Sequence, residues 1–270
     1  MKLAVIGTGQ MGQALVKGFI KAGVIQAQDI LVYDKDEQKM RDFANLIGSR
    51  TCADGPEAVH AADYVLLAVK PQICRTVLSV LKAALRPDHV LISIMAGIPL
   101  EHLQVLSEGK PALVRVMPNL PAVVDQGVSA LCFHKTSDDQ EQFVLKLFSA
   151  CGYAFATEEK LMDAVTGLSG SGPAYAMMMI EALADGGVVQ GLPRDQAIKM
   201  AAMTLKGAAQ MVLELEKHPA EFKDQVCSPG GTAIAAVRVL ESKGMRSALI
   251  EAVDAASQRA HDLRNIKTFS

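Results

Sequence analysis

The sequence predicts an α/β protein in which a doubly wound parallel sheet is followed by an all-helical domain. Over the first 157 residues, short apolar β-type runs alternate with helical patterns, as in right-handed βαβ units. From residue 159 to the end no β-type run occurs, and Ala, Met, Leu and Glu recur at helical spacing. We therefore expect an α/β domain over residues 1–157 and a helical domain over residues 158–270.

The elements of the first half follow from hydrophobic patterning. Strands buried on both faces of a parallel sheet read as nearly continuous apolar runs. Such runs predict strands at 3–7, 30–34, 64–69, 90–95, 112–117, 127–133 and 153–156. The segments between them predict helices at 10–21, 37–47, 71–85 and 138–150.

The second half predicts helices at 173–192, 193–216, 230–242 and 245–264. The first is apolar around nearly its whole circumference, which predicts a buried helix. Pro193 suits the first turn of the second. Such apolar, methionine-rich helices exceed what a helical domain of this size buries alone, so we expect a homo-oligomer.

Composition excludes several classes of function. The net charge is −2 with no long run of one sign, which gives no reason to expect nucleic acid or a membrane surface as a partner. The five cysteines form no CxxC pair and the six histidines have no metal-ligand spacing, so no metal site is expected. We find no signal-peptide pattern and expect a cytoplasmic protein.

A glycine motif connects the first strand to the first helix. Gly7, Gly9 and Gly12 form GxGxxG in the strand-to-helix context that binds dinucleotides in Rossmann-type domains. The glycines allow a tight turn and a close approach of the backbone, and the helix N-terminus attracts the pyrophosphate. The expected cofactor contacts here are Ile6, Gly7, Thr8, Gly9, Gln10, Met11 and Gly12.

The second strand ends in an acid. Asp34 stands twenty-two residues after Gly12, where an acidic residue binds the ribose 2′-hydroxyl in NAD sites. This favours NADH, although Lys35, Lys39 and Arg41 follow and keep NADPH open as the cofactor.

Three further strand ends are expected to line the same crevice, because ligands bind at the carboxyl ends of strands in open α/β sheets. Lys70 is either a phosphate neighbour or a solvated loop lysine. Asn119 offers its amide to the nicotinamide carboxamide or is an ordinary cap before Pro121. The expected contacts are Ala68, Val69, Lys70, Pro71, Ala96, Gly97 and Asn119.

The stretch CSPGGTAIAAV (227–237) carries no His, Lys or Glu. Ser228, Gly230, Gly231 and Thr232 precede or begin a predicted helix, whose free N–H groups and hydroxyls suit an anion. The alternative is a plain helix start with Ser228 as the N-cap.

Together with the glycine motif, AVKP (68–71) and MPN (117–119), three segments of the second half resemble the pyrroline-5-carboxylate reductases. They are LSGSGPAY (168–175), ALADGGVVQGLPR (182–194) and SPGGTAIAAVRVLE (228–241), and the match spans essentially the whole chain. The resemblance implies a Rossmann domain over 1–157 and a helical substrate-binding and dimerisation domain over 158–270. It also implies homodimers that can assemble into decamers.

The implied reaction is the transfer of a hydride from NAD(P)H to the C=N carbon of 1-pyrroline-5-carboxylate, which gives L-proline in the final step of proline biosynthesis. A protonated imine is already electrophilic, so the protein needs mainly to place the ring, exclude water and bind the carboxylate. Ser228 and Thr232 are the expected catalytic residues. The expected substrate contacts are Ser228, Gly230, Gly231, Thr232, Ser171, Gly172 and Tyr175.

One position departs from the family pattern. The family usually has threonine where this chain has Ala233, and its hydroxyl is placed to hydrogen-bond the ring nitrogen. That role passes to Thr232, to a water molecule or to solvent. Ala233 also keeps open a nucleotide-binding regulatory paralogue without turnover.

A β-hydroxyacid-dehydrogenase-like oxidoreductase is the other alternative. In phase with its GxxGxGxxxKxxxN motif, this chain has Ala176 at the lysine position and Ile180 at the asparagine position. A ketone substrate needs the proton donor that is missing there, whereas imine reduction does not.

Overall fold

The computed structural model describes residues 1–264 of the chain. Within them, eight strands form one sheet: β1 (Leu3–Ile6), β2 (Ile30–Tyr33), β3 (Arg50–Thr51), β4 (Tyr64–Leu67), β5 (Val90–Ser93), β6 (Ala112–Met117), β7 (Gly127–His134) and β8 (Gly152–Ala156). All seven predicted strands are present. The two-residue β3 was not predicted, because it is exposed and lacks an apolar pattern.

The first half contains α1 (Gln10–Lys21), α2 (Glu37–Ile47), α3 (Gly55–His60), α4 (Cys74–Leu81), α5 (Leu100–Leu106), α6 (Asp138–Ser149) and α7 (Met162–Val165). The second contains α8 (Gly172–Val189), α9 (Arg194–Leu215), α10 (Pro219–Val226), α11 (Thr232–Ser242) and α12 (Met245–Arg264). The predicted bounds of α1 and α2 are confirmed. The short helices α3, α5, α7 and α10 were not predicted.

The sheet is mainly parallel, with strand order β3-β2-β1-β4-β5-β6-β7-β8. The strands from β1 to β6 pair in parallel, β7 pairs antiparallel with β6, and β8 is parallel to β7. A parallel connection needs about a dozen residues or more. The segment 118–126 between β6 and β7 is shorter, so the chain reverses there, which the prediction of a parallel sheet did not include.

Apolar residues fill both faces of the sheet. Along β1, Leu3 and Val5 pack into one cluster with residues of α1, α2 and α6, while Ala4 and Ile6 pack into the other with residues of α3, α4 and α5. This alternation follows from the two-residue period of a strand. The strands are thus held from both sides, with their carboxyl ends along one edge.

Helix starts differ along the chain. Asp36 caps α2 by accepting a hydrogen bond from the Lys39 N–H, and Ser137 forms a capping box with Gln140 at α6. By contrast, α1 and α11 begin after Gly9 and Gly231, which provide no capping side chain. The N–H groups of these two first turns therefore lack a side-chain acceptor of this kind.

By packing, the described chain divides into two units. One comprises Met1–Gly170 together with the described residues from Ala255 to Arg264, and the other comprises Ser171–Asp254. No strand follows Ala156 in the part of the chain that the structure describes. The boundary between a nucleotide-binding domain (1–157) and a substrate-binding and dimerisation domain (158–270) stays a prediction. None of the described helices is long and apolar enough to cross a membrane.

The second unit buries little of its apolar surface. The helices α8 and α9 pack around Ala184, Ala197 and Ala201. The prediction that 173–192 forms a buried helix is wrong for the single chain, because Met178 is 69% exposed and only Ala184 of α8 is buried. Pro193 occupies the N-cap of α9 rather than its first turn.

Candidate functional site

The carboxyl ends of the parallel strands meet at one edge of the sheet. In the strand register Ile6 pairs with Tyr33 on one side and with Leu67 on the other, and Leu67 pairs with Ser93. The residues that follow these strands, among them Gly7, Asp34 and Ala68, therefore lie along the same edge. This is the edge at which open α/β sheets bind ligands.

The glycine loop lies directly against the end of β4. Gly7 has φ +100°, and a Cβ on it would lie 2.7 Å from the Ala68 carbonyl oxygen. A Cβ on Gly12 would lie 2.7 Å from the Ala68 Cβ. Both positions therefore need glycine for the fold itself.

Gly9 is different, because the protein leaves space for a side chain there. A Cβ on Gly9 would lie 3.6 Å from the Ala68 carbonyl oxygen, which is an ordinary contact. Its φ of −66° suits any residue. The fold thus gives no reason for glycine here, whereas a ligand lying against the backbone does. An uncapped helix start beside a bare backbone suits a diphosphate.

Asp34 is held by the same loop. Its Oδ2 accepts hydrogen bonds from the Thr8 N–H at 2.6 Å and the Thr8 hydroxyl at 2.8 Å, and its Oδ1 accepts one from the Asp36 N–H at 3.0 Å. Burial alone raises the pKa of Asp34, but these hydrogen bonds and the charge of Lys39 outweigh it and lower the pKa. Asp34 is therefore ionised at neutral pH.

Asp34 also lines a pocket of about 470 Å³ at the ends of β2 and β3. Its other lining residues are Tyr33, Lys35, Glu37, Met40, Arg41, Thr51, Cys52 and Ala53. Thr51, Cys52 and Ala53 were missed by the sequence reasoning, because β3 gives no apolar signal. The pocket lies beside the glycine loop at the end of β2, where Rossmann-type domains bind the adenosine part of a dinucleotide.

Two of the three cations near Asp34 are paired with carboxylates. Arg41 contacts Glu37 at 2.8 Å, and Lys39 lies 3.9 Å from Asp36. These pairs are exposed and weak, yet they lower the net positive charge available to a phosphate.

The other predicted cofactor residues lie at the ends of their strands. Lys70 is exposed and precedes a 3-10 turn at Pro71–Ile73. Ala96 is exposed, and Gly97 has φ +75° in the turn after β5. Asn119 is buried: its amide donates to the Ser169 carbonyl at 2.9 Å, and its oxygen accepts from the Val128 N–H at 2.8 Å. Asn119 thus has a structural role, and its contact with nicotinamide stays a prediction.

A partly buried ion pair in the first unit was missed by the sequence reasoning. The Arg115 side chain of β6 is only 3% exposed and forms an ion pair with Glu159. The Glu159 Oε1 also accepts a hydrogen bond from the Leu100 N–H at 3.2 Å. The pair ties the start of α5 to the chain after β8. An arginine inside the apolar run ALVRVM was the available signal, since a buried charge needs a partner.

In the second unit, the 228–232 turn presents an open helix start. Gly230 has φ +70°, and the Gly231 N–H donates to the Ser228 carbonyl at 3.0 Å. Ser228 and Thr232 are exposed. The alternative in which Ser228 is the N-cap is wrong, because Gly231 occupies that position without a side-chain cap. The first turn of α11 therefore has no side-chain acceptor for its N–H groups, which is the arrangement that suits an anion.

The three remaining predicted substrate residues lie at the start of α8. Ser171 occupies its N-cap without a side-chain hydrogen bond there, and a Cβ on Gly172 would meet open space. The Tyr175 hydroxyl donates to the Ala252 carbonyl of α12 at 3.3 Å, which favours packing among the helices. No described contact tests a role for these three residues toward a ligand.

Family models match both halves of the chain. Residues 159–263 match the model described as pyrroline-5-carboxylate reductase dimerisation. Residues 2–97 match the model described as NADP oxidoreductase coenzyme F420-dependent. The match over the helices agrees with their exposed apolar faces.

Whole-chain comparisons give the same result. The chain is 44% identical to the pyrroline-5-carboxylate reductase of Methanosarcina acetivorans over 264 residues, 97% of each chain. A pyrroline-5-carboxylate reductase structure from Coxiella burnetii has a TM-score of 0.92 at 32% identity, covering 97% of this chain and 98% of that one. A pyrroline carboxylate reductase structure from Plasmodium falciparum with NADP bound has a TM-score of 0.86 at 31% identity and covers 98% of each chain.

Proposed function

Because this chain belongs to the pyrroline-5-carboxylate reductase family, we propose that the two helices that begin after a glycine N-cap, α1 and α11, each bind one of the two reactants. In this proposal α1 holds the dinucleotide diphosphate and α11 holds the substrate carboxylate. The enzyme reduces the C=N bond of 1-pyrroline-5-carboxylate to L-proline and depends on NAD(P)H. Bound NAD(P)H supplies the hydride.

The nucleotide proposal rests on Gly9. The space left for a Cβ at this position, beside the uncapped start of α1, fits a diphosphate against the backbone. The remaining proposed contacts are Ile6, Gly7, Thr8, Gln10, Met11, Gly12, Asp34, Ala68, Val69, Lys70, Pro71, Ala96, Gly97 and Asn119.

Within NAD(P)H, we favour NADH. Asp34 carries a negative charge at the pocket, and a 2′-phosphate there is repelled by it. The nearby Arg41 and Lys39 already have carboxylate neighbours. The Plasmodium falciparum relative holds NADP, so both cofactors belong in the test.

The substrate proposal rests on the uncapped start of α11. The free N–H donors of its first turn, with the exposed hydroxyls of Ser228 and Thr232, offer a carboxylate several hydrogen bonds. A protonated imine needs no strong acid from the protein, which accords with a turn free of His, Lys and Glu. Thr232 or solvent handles the ring-nitrogen proton in place of the hydroxyl absent at Ala233. Ser171, Gly172 and Tyr175 are proposed as secondary contacts.

The chain self-associates through its helices. The exposed apolar residues of α8 and α9 lie in the segment that matches the dimerisation model. A second copy covering this face gives the burial that one chain lacks. A cytoplasmic location and assembly of dimers into decamers stay proposals from the family resemblance.

The substrate site is tested with Ser228→Ala. Loss of a hydrogen bond to a carboxylate raises the KM for 1-pyrroline-5-carboxylate by about 10-fold or more. The Kd for NADH stays unchanged. Ser242→Ala is the matched control, because Ser242 lies at the other end of α11 and donates to the Val239 carbonyl. An unchanged KM in Ser228→Ala contradicts the placement of the carboxylate at this turn.

A further inference from the structure

Thr8 of the glycine loop does more than form part of a turn. We propose that its hydroxyl is a positioning group that holds the Asp34 carboxylate at the ribose site and so sets the discrimination between NADH and NADPH. This inference rests on the proposed function, because it assigns a specificity-determining role within the same nucleotide site.

The contacts of Thr8 differ from those of an ordinary loop residue. Thr8 is 2% exposed, and both its N–H and its hydroxyl donate to the same atom, Asp34 Oδ2. Its own carbonyl accepts from the Gln13 side chain at 2.9 Å, which ties the loop to α1. Thr8 therefore links the start of the diphosphate-binding helix to the acid at the end of β2.

These contacts leave a defined part of the carboxylate for a ligand. An ionised carboxylate has about four acceptor sites on its two oxygens. Oδ2 uses two of them on Thr8, and Oδ1 uses one on the Asp36 N–H. One site on Oδ1 remains, which suits a single ribose hydroxyl.

The fixed orientation also explains discrimination. A carboxylate that rotates freely can turn away from a 2′-phosphate and admit NADPH. With three hydrogen bonds on Asp34, such a rotation breaks contacts that are strong because the acceptor is charged. The negative charge therefore stays in the pocket, where it accepts a hydroxyl and repels a phosphate.

The test compares Thr8→Val with Thr8→Ser. Valine removes the hydroxyl while it keeps the β-branched shape and the backbone N–H, whereas serine keeps the hydroxyl. The readout is the Kd for NADH and for NADPH from fluorescence titration without substrate. We expect the ratio of Kd(NADPH) to Kd(NADH) to fall by about 10-fold in Thr8→Val and to stay within about threefold in Thr8→Ser.

A double-mutant cycle shows whether the effect acts through Asp34. In an Asp34→Ala background, Thr8→Val should leave the ratio of the two Kd values unchanged. The inference is overturned if Thr8→Val leaves the ratio of the two Kd values unchanged, whether or not it weakens the binding of both cofactors. It is also overturned if Thr8→Val has its full effect on the ratio in the Asp34→Ala background. Wild-type binding tests the proposed function separately: a chain that binds neither nucleotide, or that prefers NADPH, contradicts that proposal. In a chain that prefers NADPH, a further fall in Thr8→Val still supports the role of Thr8.

Discussion

The substitution Gly9→Ala separates the needs of the fold from those of the ligand. An added Cβ would lie 3.6 Å from the Ala68 carbonyl oxygen, and the backbone φ of −66° suits alanine. We therefore expect the free energy of unfolding to stay within about 1 kcal/mol of wild type. In the proposed site, the diphosphate lies against the backbone at Gly9, so the added methyl group obstructs it. Loss of one or two hydrogen bonds to a charged phosphate weakens NADH binding by about 10- to 100-fold.

Gly12→Ala is the matched control for this substitution. Its Cβ would lie 2.7 Å from the Ala68 Cβ and 3.3 Å from the Gly7 carbonyl oxygen, so overpacking costs about 1–3 kcal/mol of stability. Urea unfolding and fluorescence titration with NADH measure the two effects for each variant. If Gly9→Ala binds NADH within twofold of wild type, no phosphate lies against the backbone at Gly9 and the nucleotide assignment fails.

Two other predictions concern Ala233 and His89. Ala233→Thr is expected to raise kcat by about 5-fold or more, because it supplies one more hydrogen bond in the transition state. Ala235→Thr, on the same helix, is the control. An equal or lower kcat in Ala233→Thr contradicts a hydrogen bond from position 233 to the ring nitrogen. His89 is fully buried, and burial followed by the charge of Arg86 lowers its pKa below the usual 6.5. Below pH 6.5 the unfolded chain therefore binds a proton at His89 that the folded chain does not bind. The contribution of His89 to the free energy of unfolding is thus fully present above pH 6.5. It falls as the pH decreases, by up to about 1.4 kcal/mol per pH unit. Urea unfolding at pH 7.5 and 5.5 should show a smaller loss in His89→Asn than in wild type, whereas the exposed His60→Asn keeps the wild-type loss; equal losses in all three refute the role of His89.

Much of the first half follows from its sequence. The bounds of α1 and α2 were predictable because each joins a polar or glycine start to an apolar stripe, and Gly48, with φ +75°, follows the last residue of α2. The position of Asp34 after β2 was predictable from the spacing of the motif alone. Its bonds with Thr8 were not, because spacing does not reveal which side chain a hydroxyl contacts.

Other features depend on strand direction, on contacts between copies and on turn conformation, none of which a hydrophobic pattern reveals. The pattern of β7 does not encode its direction, although the short 118–126 connection already favoured a reversal. The face of α8 reads as buried because sequence patterning does not distinguish burial within one chain from burial between copies. Ser228 looked like an N-cap, but Gly230 at φ +70° shifts the start of α11 so that Gly231 takes that position.

The glycine start of α1 also bears on how this protein evolves. Asp, Asn or Ser at the N-cap typically stabilises a helix, and the structure leaves space for such a side chain at Gly9. At Gly231 it does not, because a Cβ would lie 2.3 Å from the Ser228 Oγ. A capping mutation at Gly9 therefore stabilises the protein without ligand, while its own oxygen competes with the incoming anion. Selection for stability and selection for turnover oppose each other at this position, and laboratory screens for heat resistance should recover Gly9 variants that have lost activity.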